Sequence, residues 1–390
     1  MVIIMKFKSS IQREADRFFK EVTKEDFNIR KVTKSAFSQA RAKLNPEAFL
    51  RLNKGSCKIF YRDACWIGWK GKRLLAEDGT RLLLPNHKSI EDKYGSHMFG
   101  QKASAKRSMA TATILYDPLN LIALDASLSS YGGKERELLI PHLEHVGSND
   151  ILLLDRGYSC YWLLFLLTAK GVDFCVRLQN NWWHQANELS SGDHQEQEVE
   201  LTLPKKDYSK LSHYPQIRDK KIKVRLVKIP LENGTHQILC TSLQEESLDE
   251  LKYLYGLRWN IEEGFKLLKS RIELENFSGK TAHAIEQDFY AKVFLLSLTS
   301  MYAHPIEQRV RKEYHQEKTK KKYSQKINRT NAIATMQDIL IGSLIKKLFR
   351  KAIDAFDLIV YKSREAIRPF RKIKRIHKHK RPYRMNYKHL

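Results

Sequence analysis

Four residues at fixed spacing carry the most specific chemical signal in the sequence: Tyr255, Arg258, Glu262 and Lys269, in the pattern Tyr-x2-Arg-x3-Glu-x6-Lys. On a helix that advances about 100° per residue they fall within roughly 60° of one another, so a single face carries a phenol, two cations and a carboxylate. Glu263 points away from that face and is the poorer ligand. Two further carboxylates end strand-like runs. Asp78 follows Leu74 to Glu77 in the segment Asp78-Gly79-Thr80, and Asp155 follows the apolar Ile151-Leu152-Leu153-Leu154 in Asp155-Arg156-Gly157-Tyr158. Three carboxylates brought together repel one another unless a cation sits among them, and an open ring of hard oxygens suits Mg²⁺ or Mn²⁺. Two such ions about 3.5–4 Å apart would activate an attacking oxygen and stabilise the leaving oxygen in an in-line displacement at phosphorus. Asp78, Asp155 and Glu262 are therefore the candidate catalytic residues and metal ligands, and two Mg²⁺ ions, with Mn²⁺ as substitute, the expected cofactor. Tyr255, Arg258 and Lys269 are expected to donate to phosphates of a bound nucleic acid.

Taken singly, each of these residues has an ordinary explanation. Asp-Gly is a common turn, a carboxylate after a strand often caps the next helix, and charged helix residues pair with one another on surfaces. Only the set argues for chemistry, and it does so only if the chain brings the set together. The surrounding pattern allows this. From Arg73 onward the sequence runs strand, a hairpin of Thr111 to Tyr116 and Leu121 to Ser127 across Asp117-Pro118-Leu119-Asn120, a helix at about 134–144, the strand 151–154, a helix over 161–170 and the strand 174–178. That order matches a ribonuclease-H-like mixed sheet with helices against it, in which the first strand lies beside the fourth and Asp78 comes up to Asp155. Leu257, Ile261, Phe265 and Leu268 form an apolar stripe that would pin the Glu262 helix to the sheet.

The fold class expected is thus α/β, a ribonuclease-H-like mixed sheet core interrupted by a β-rich insertion and flanked by helical N- and C-terminal regions. Five segments follow: 1–70, a helical DNA-binding region; 71–178, the first part of the core; 179–246, the insertion, with a hairpin across Glu232-Asn233-Gly234; 247–300, the second part of the core; and 301–390, a basic helical region. Within the first segment, Thr33 is placed as the N-cap of a helix that shows Phe37, Ala40 and Leu44 on one face and Lys34, Ser38 and Arg41 on others. It suits either a DNA-reading helix or an ordinary amphipathic one. Trp182 and Trp183 open the insertion and suit its core better than a platform for a base. His142 and His145 follow no metal-ligand spacing and receive no role.

Composition narrows the partner. With 70 Lys+Arg against 44 Asp+Glu the chain carries +26, which attracts polyanions through phosphate contacts and counterion release. Residues 361–390 alone hold twelve Lys+Arg and one Glu. Five cysteines, at wide spacings and without a C-x-x-C pair, suit a reducing compartment and make no zinc site. No apolar run approaches a membrane span, so a soluble, intracellular (cytoplasmic, nucleoid-associated) protein without a membrane partner is expected.

The Tyr-x2-Arg-x3-Glu-x6-Lys set, with Asp78-Gly79-Thr80, Asp155-Arg156-Gly157-Tyr158, residues 275–281 (Glu275-Asn276-Phe277-Ser278-Gly279-Lys280-Thr281) and Gln287-Asp288-Phe289-Tyr290-Ala291, resembles the DDE transposases of the IS-four insertion-sequence family over roughly residues 33–300. The resemblance implies a cut-and-paste element. It implies double-stranded DNA as partner (terminal inverted repeats and target), nicking of the 3′ ends by water, strand transfer by the 3′-hydroxyl, often a hairpin intermediate, and a homodimer in a synaptic complex. Two other readings stay open: a nuclease of the same fold that does not join DNA, and a non-catalytic DNA-binding protein.

Overall fold

The computed structural model describes residues 10–99, 105–179, 183–231, 234–316 and 323–368. In chain order the elements are α1 (Ile11–Thr23), α2 (Lys34–Ala42), α3 (Glu47–Asp63), β1 (Arg73–Leu84), α4 (Lys88–Tyr94), β2 (Ser96–Phe99), β3 (Ala105–Asp117), β4 (Ile122–Ser130), α5 (Glu135–His142), β5 (Asp150–Leu154), α6 (Tyr161–Ala169), β6 (Asp173–Arg177), α7 (His184–Ser191), β7 (Glu196–Thr202), β8 (Lys221–Pro230), β9 (His236–Thr241), α8 (Leu248–Gly256), α9 (Trp259–Ser270), α10 (Ala282–Gln316), β10 (Gln325–Ile327), α11 (Arg329–Lys346), α12 (Phe349–Lys362) and β11 (Arg364–Ala366). They divide into two compact units. The sheet unit is Asp63–Leu82 with Ala110–Phe265; the helical unit is Met1–Arg62 with Leu83–Met109 and Lys266–Leu390. No helix among the described residues is long and apolar enough to cross a membrane.

The sheet unit is a mixed sheet in which β4 pairs with β3 and the order continues β3-β1-β5-β6-β9-β8-β7. Its centre is the parallel pair β1 and β5, continued in parallel by β6. All five residues of β5 are buried, as a strand covered on both faces requires; the apolar run Ile151 to Leu154 supplies four of them, and Asp150 is buried against Arg73. The return from β5 to β6 passes through α6, whose Trp162 to Leu167 are buried. Such a crossover is how parallel neighbours are joined. At the opposite end of the central pair, Arg73 grips Asp150 through two hydrogen bonds of 2.8 and 2.7 Å, fixing where the two strands start relative to each other.

Several expectations are met and three are revised. The hairpin is β3–β4, and Asp117 shapes its turn by accepting from the N–H groups of Leu119 and Asn120 at 2.9 and 2.8 Å. Asp78-Gly79, by contrast, is not a turn: β1 runs through it from Arg73 to Leu84. The β-rich stretch is continuous with the central sheet, because β9 pairs antiparallel with β6 and β8 and β7 follow outward. Ile238, Leu239 and Cys240 are buried in β9 and need a paired, covered position of this kind. Residues Glu232 and Asn233 of the expected hairpin turn lie outside the described residues, as does Trp182, while Trp183 is buried and stacks on Tyr161 with ring centroids 4.6 Å apart. Its place in a core is the one expected.

The third revision is in the helical unit. Thr33 caps α2 as expected, accepting from the Ala36 N–H, yet Phe37 is half-buried, Ala40 is exposed and the buried residue is Arg41. Its guanidinium donates to Gln287 Oε1 at 2.6 Å, to the Ala284 carbonyl at 2.8 Å and to Asp288 Oδ1 at 2.8 Å, and it also meets Ser278 Oγ. Gln287 answers by donating to the Arg41 carbonyl. Residues that stood out as motif in the sequence, Ser278 and Gln287-Asp288, are thus the socket that fixes α2 to α10. A planar donor fork with every partner in place is a stable way to bury an arginine, but losing one partner strands the other charge. Arg41→Ala is expected to destabilise the helical unit by about 3–5 kcal/mol, read as a lowered urea midpoint. A change below about 0.5 kcal/mol, the range of ordinary surface substitutions, would place Arg41 in solvent.

Candidate active site

The register of the central pair determines the site. Its last partners are Glu77 and Leu154, so the next residues, Asp78 within β1 and Asp155 just past the end of β5, follow where the parallel ladder stops. Asp78 stays within β1. Asp155 leaves β5, and its carbonyl accepts the Tyr158 N–H at 2.9 Å, curling Arg156 to Tyr158 into a tight 3₁₀ turn.

The third carboxylate arrives on α9. The sequence predicts one helix over the Tyr-Arg-Glu-Lys set; instead α8 ends at Gly256, a turn follows at Leu257 and Arg258, and α9 begins at Trp259. A glycine at the last helical position weakens the helix where the break falls. The Leu257 N–H reaches back to the carbonyls of Leu254 and Tyr253, tightening the final turn of α8. Tyr255 therefore sits on α8, Arg258 in the turn and Glu262 on α9; Arg258 still meets Glu262 at the i,i+4 spacing of a helix, while Tyr255 joins them across the bend. Both helices are held from outside the site. Ser247 and Glu250 form a capping box at the start of α8, Lys70 pairs with Glu250 at 2.9 Å, Asn260 donates to the Pro118 carbonyl at 2.8 Å, and Gly264 lies so close to Tyr116 that a Cβ there would meet the ring at 3.1 Å.

At the centre lies Arg258. Its Nη1 donates to Asp78 Oδ2 at 3.3 Å and its Nη2 to Glu262 Oε1 at 3.0 Å, and its side chain is 6% exposed. The Tyr255 hydroxyl is 3.5 Å from Asp155 Oδ1, with the Tyr255 ring 5.8 Å from the Arg258 guanidinium. Five of the six residues singled out by sequence therefore meet: Asp78, Asp155, Tyr255, Arg258 and Glu262. Lys269 belongs to the helical unit, where the charge of Glu275 acts on it against the burial that lowers its pKa. Arg258, expected to meet a phosphate, gives its Nη1 and Nη2 to two carboxylates, while its buried Nε has no hydrogen-bond partner among the described residues. Glu263 is exposed, as expected.

Burial pushes the Asp78 carboxyl up to about 6; the Gly79 N–H at 2.8 Å and Arg258 pull the other way, while the negative charges of Glu135 and Asp155 add to the rise. Glu135 is a residue the sequence did not single out, since a carboxylate opening a helix suits any helix dipole. His142, too, carries no signal in its sequence spacing. It is buried against Glu77, with Nδ1 at 3.0 and 3.1 Å from the two carboxylate oxygens and Nε2 at 2.8 Å from Ser127 Oγ. A buried Glu next to a histidine eight helical residues downstream of a glycine-rich loop has no one-dimensional signature.

The donor set is right in kind for a hard divalent cation: three carboxylates, gathered, with too little positive charge among them. Among the described residues no group of three His, Cys, Asp or Glu is closed around one point. The cation that Asp78 and Glu262 share is Arg258, and Asp155 is met by the Tyr255 hydroxyl.

A group whose folded pKa is raised stabilises the fold fully below its unfolded value and loses that contribution as pH rises through the folded value. For Asp78 the loss falls between pH 4 and 7 and is worth about 3 kcal/mol. Asp78→Asn, neutral throughout, is expected to be more stable than wild type at pH 7 by up to that amount and not at pH 4, in denaturant titrations with EDTA present. Equal stability at both pH values would show that Asp78 is not desolvated.

The profile of the family described as Transposase DDE domain matches residues 69–298, more than half of the chain. A curated relative, "Transposase InsG for insertion sequence element IS4" of Escherichia coli (strain K12), is 22% identical over 290 residues, which cover 68% of this chain and 60% of the relative. The chain thus matches less than two thirds of that relative's length. Among solved structures, a cryo-EM structure of the piggyBac transposase synaptic complex with hairpin DNA matches with a TM-score of 0.40 at 10% identity, covering 74% of this chain and 57% of that one, a score too low to establish a shared fold.

Proposed function

The chain belongs to the transposase DDE domain family, and from that premise we propose that it is an insertion-sequence transposase that cleaves DNA ends and joins them to a target by metal-dependent phosphoryl transfer. The observation that carries this reading is the convergence of Asp78 from β1, Asp155 from the end of β5 and Glu262 from α9, the first and last bridged by the buried Arg258 and Asp155 met by the Tyr255 hydroxyl. In this reading the sheet is a ribonuclease-H-like core: an antiparallel hairpin, β3 and β4, beside β1, then β5 and β6 parallel to it.

Asp78, Asp155 and Glu262 would hold two Mg²⁺ ions, or Mn²⁺ in their place, which supply a polarised attacking oxygen and stabilise the leaving one. The protein's own contribution is positioning and charge. Desolvation of Asp78 disfavours its anionic form and so raises the gain from a cation bound beside it. Arg258, once displaced from a carboxylate, is a bidentate phosphate donor within reach, and Tyr255 presents a phenol whose burial pushes its pKa above the usual range, so that it stays a neutral hydrogen-bond donor. Duplex DNA is the partner that the excess of 70 Lys+Arg over 44 Asp+Glu suits. Terminal inverted repeats as the recognised sequence, and a homodimer as the synaptic assembly, come to this chain by family resemblance.

The test is cleavage of a supercoiled plasmid carrying the element's own ends. Nicking and joined products are expected with Mg²⁺ or Mn²⁺, to vanish with EDTA, and to vanish for Glu262→Ala at matched DNA binding. Undiminished cleavage by Glu262→Ala would remove Glu262 from the site. Nicking without any joined product would make the protein a nuclease, and no cleavage by wild type would make it a DNA-binding protein.

A further inference from the structure

Two neighbours of the carboxylates have no task in that account: Glu135 and Tyr158. Glu135 is the first residue of α5. Its side chain lies against the Cα of Gly79, where a built Cβ would meet Glu135 Oε1 at 2.6 Å, Cδ at 2.7 Å and Cγ at 2.9 Å. Gly79 sits inside β1 with no positive φ to require it. What the missing side chain provides there is room for a carboxylate next to Asp78. Acidic neighbours alone would be weak grounds, since carboxylates cluster for many reasons.

The independent observation is Tyr158. It is 1% exposed, and its hydroxyl has no hydrogen-bond partner among the described residues. Buried polar side-chain atoms are nearly always paired, with protein or with ordered water, so this hydroxyl points to a ligand. Its surroundings say which kind. After burial, the influences on the phenol are the negative charges of Glu77, Glu135, Asp78 and Asp155. Glu77 already has His142 on both its oxygens, which leaves Glu135, Asp78 and Asp155. The main chain holds Tyr158 in place through the Asp155 carbonyl at 2.9 Å, and Arg136 of α5 donates to the Gly157 carbonyl beside it. Tyr158 and Glu135 are thus tied to the same two elements as the carboxylates.

We propose that Glu135 is a fourth acidic residue of the site, a positioning residue that together with the Tyr158 hydroxyl holds water bound to a divalent cation at Asp78 and Asp155. Water on a divalent cation is a strengthened hydrogen-bond donor. A carboxylate and a phenol oxygen are the acceptors that suit it, and such outer partners set cation affinity as well as the ligands themselves do. This rests on the metal-dependent reading above, extending it to two residues outside the Asp-Asp-Glu set.

The test is calorimetric titration of the DNA-free full-length protein with Mn²⁺, comparing wild type, Asp155→Ala, Glu135→Gln, Tyr158→Phe and Gly79→Ala. Wild type is expected to bind Mn²⁺ and Asp155→Ala to lose it. Glu135→Gln and Tyr158→Phe are expected to weaken binding by about tenfold or more, with unfolding midpoints in EDTA no lower than wild type. Gly79→Ala, which displaces Glu135 without changing any charge, is expected to show the same loss. Wild-type affinity in Glu135→Gln and Tyr158→Phe, with Asp155→Ala defective, would overturn this inference and leave the metal site standing. A lowered unfolding midpoint with unchanged affinity would make the two residues structural. No Mn²⁺ binding by wild type would overturn the metal reading itself.

Discussion

The parallel, in-register pairing of β1 with β5 is the constraint on which the rest of the site depends. Because Glu77 faces Leu154, the two strands deliver Asp78 and Asp155 as neighbours. A slip of one residue would turn one carboxylate to the opposite face of the sheet, because side chains alternate along a strand. The pairing is secured where it begins and where it ends: Arg73 holds Asp150 at the start, β5 is buried along its whole length, and the buried Glu77–His142 contact ties the last paired residue of β1 to α5.

Electrostatics then explain the arrangement around Arg258. Carboxylates crowded at a partly desolvated edge need positive charge, and Arg258 provides it by spanning Asp78 and Glu262. Arg258 stands in the bend between α8 and α9, one helical turn before Glu262, and from there also reaches Asp78 in β1. Capping at Ser247, the Lys70–Glu250 pair and the Asn260 contact to Pro118 hold the bend. These anchors lie outside the carboxylate cluster.

How much of this was legible in the sequence depends on how local the cause is. The central strand was legible because Ile151 to Leu154 can hardly be anything but a buried strand, and Asp155 follows it directly. The turn of the β3–β4 hairpin was legible because Asp117 and Asn120 do their work within four residues. The break after Gly256 was not, since the apolar spacing of Leu257, Ile261, Phe265 and Leu268 continues smoothly across it and only one glycine marks the change. Arg41 was placed on a polar face because its partners, Gln287 and Asp288, stand 246 and 247 residues downstream; the motif containing them was visible, but not what it grips. Glu135 and Tyr158 were invisible for the same reason, as their relation to Asp78 exists only once α5 and the 3₁₀ turn are laid against β1.

The most direct test of the central claim is anomalous diffraction from crystals of the protein soaked in Mn²⁺. The account predicts a manganese peak within coordination distance of Asp78 and Asp155, on the side that Glu262 faces, with Arg258 moved off at least one of its carboxylates. Manganese bound elsewhere, with Arg258 still bridging Asp78 and Glu262, would contradict it and leave the three carboxylates as a structural ion-pair cluster.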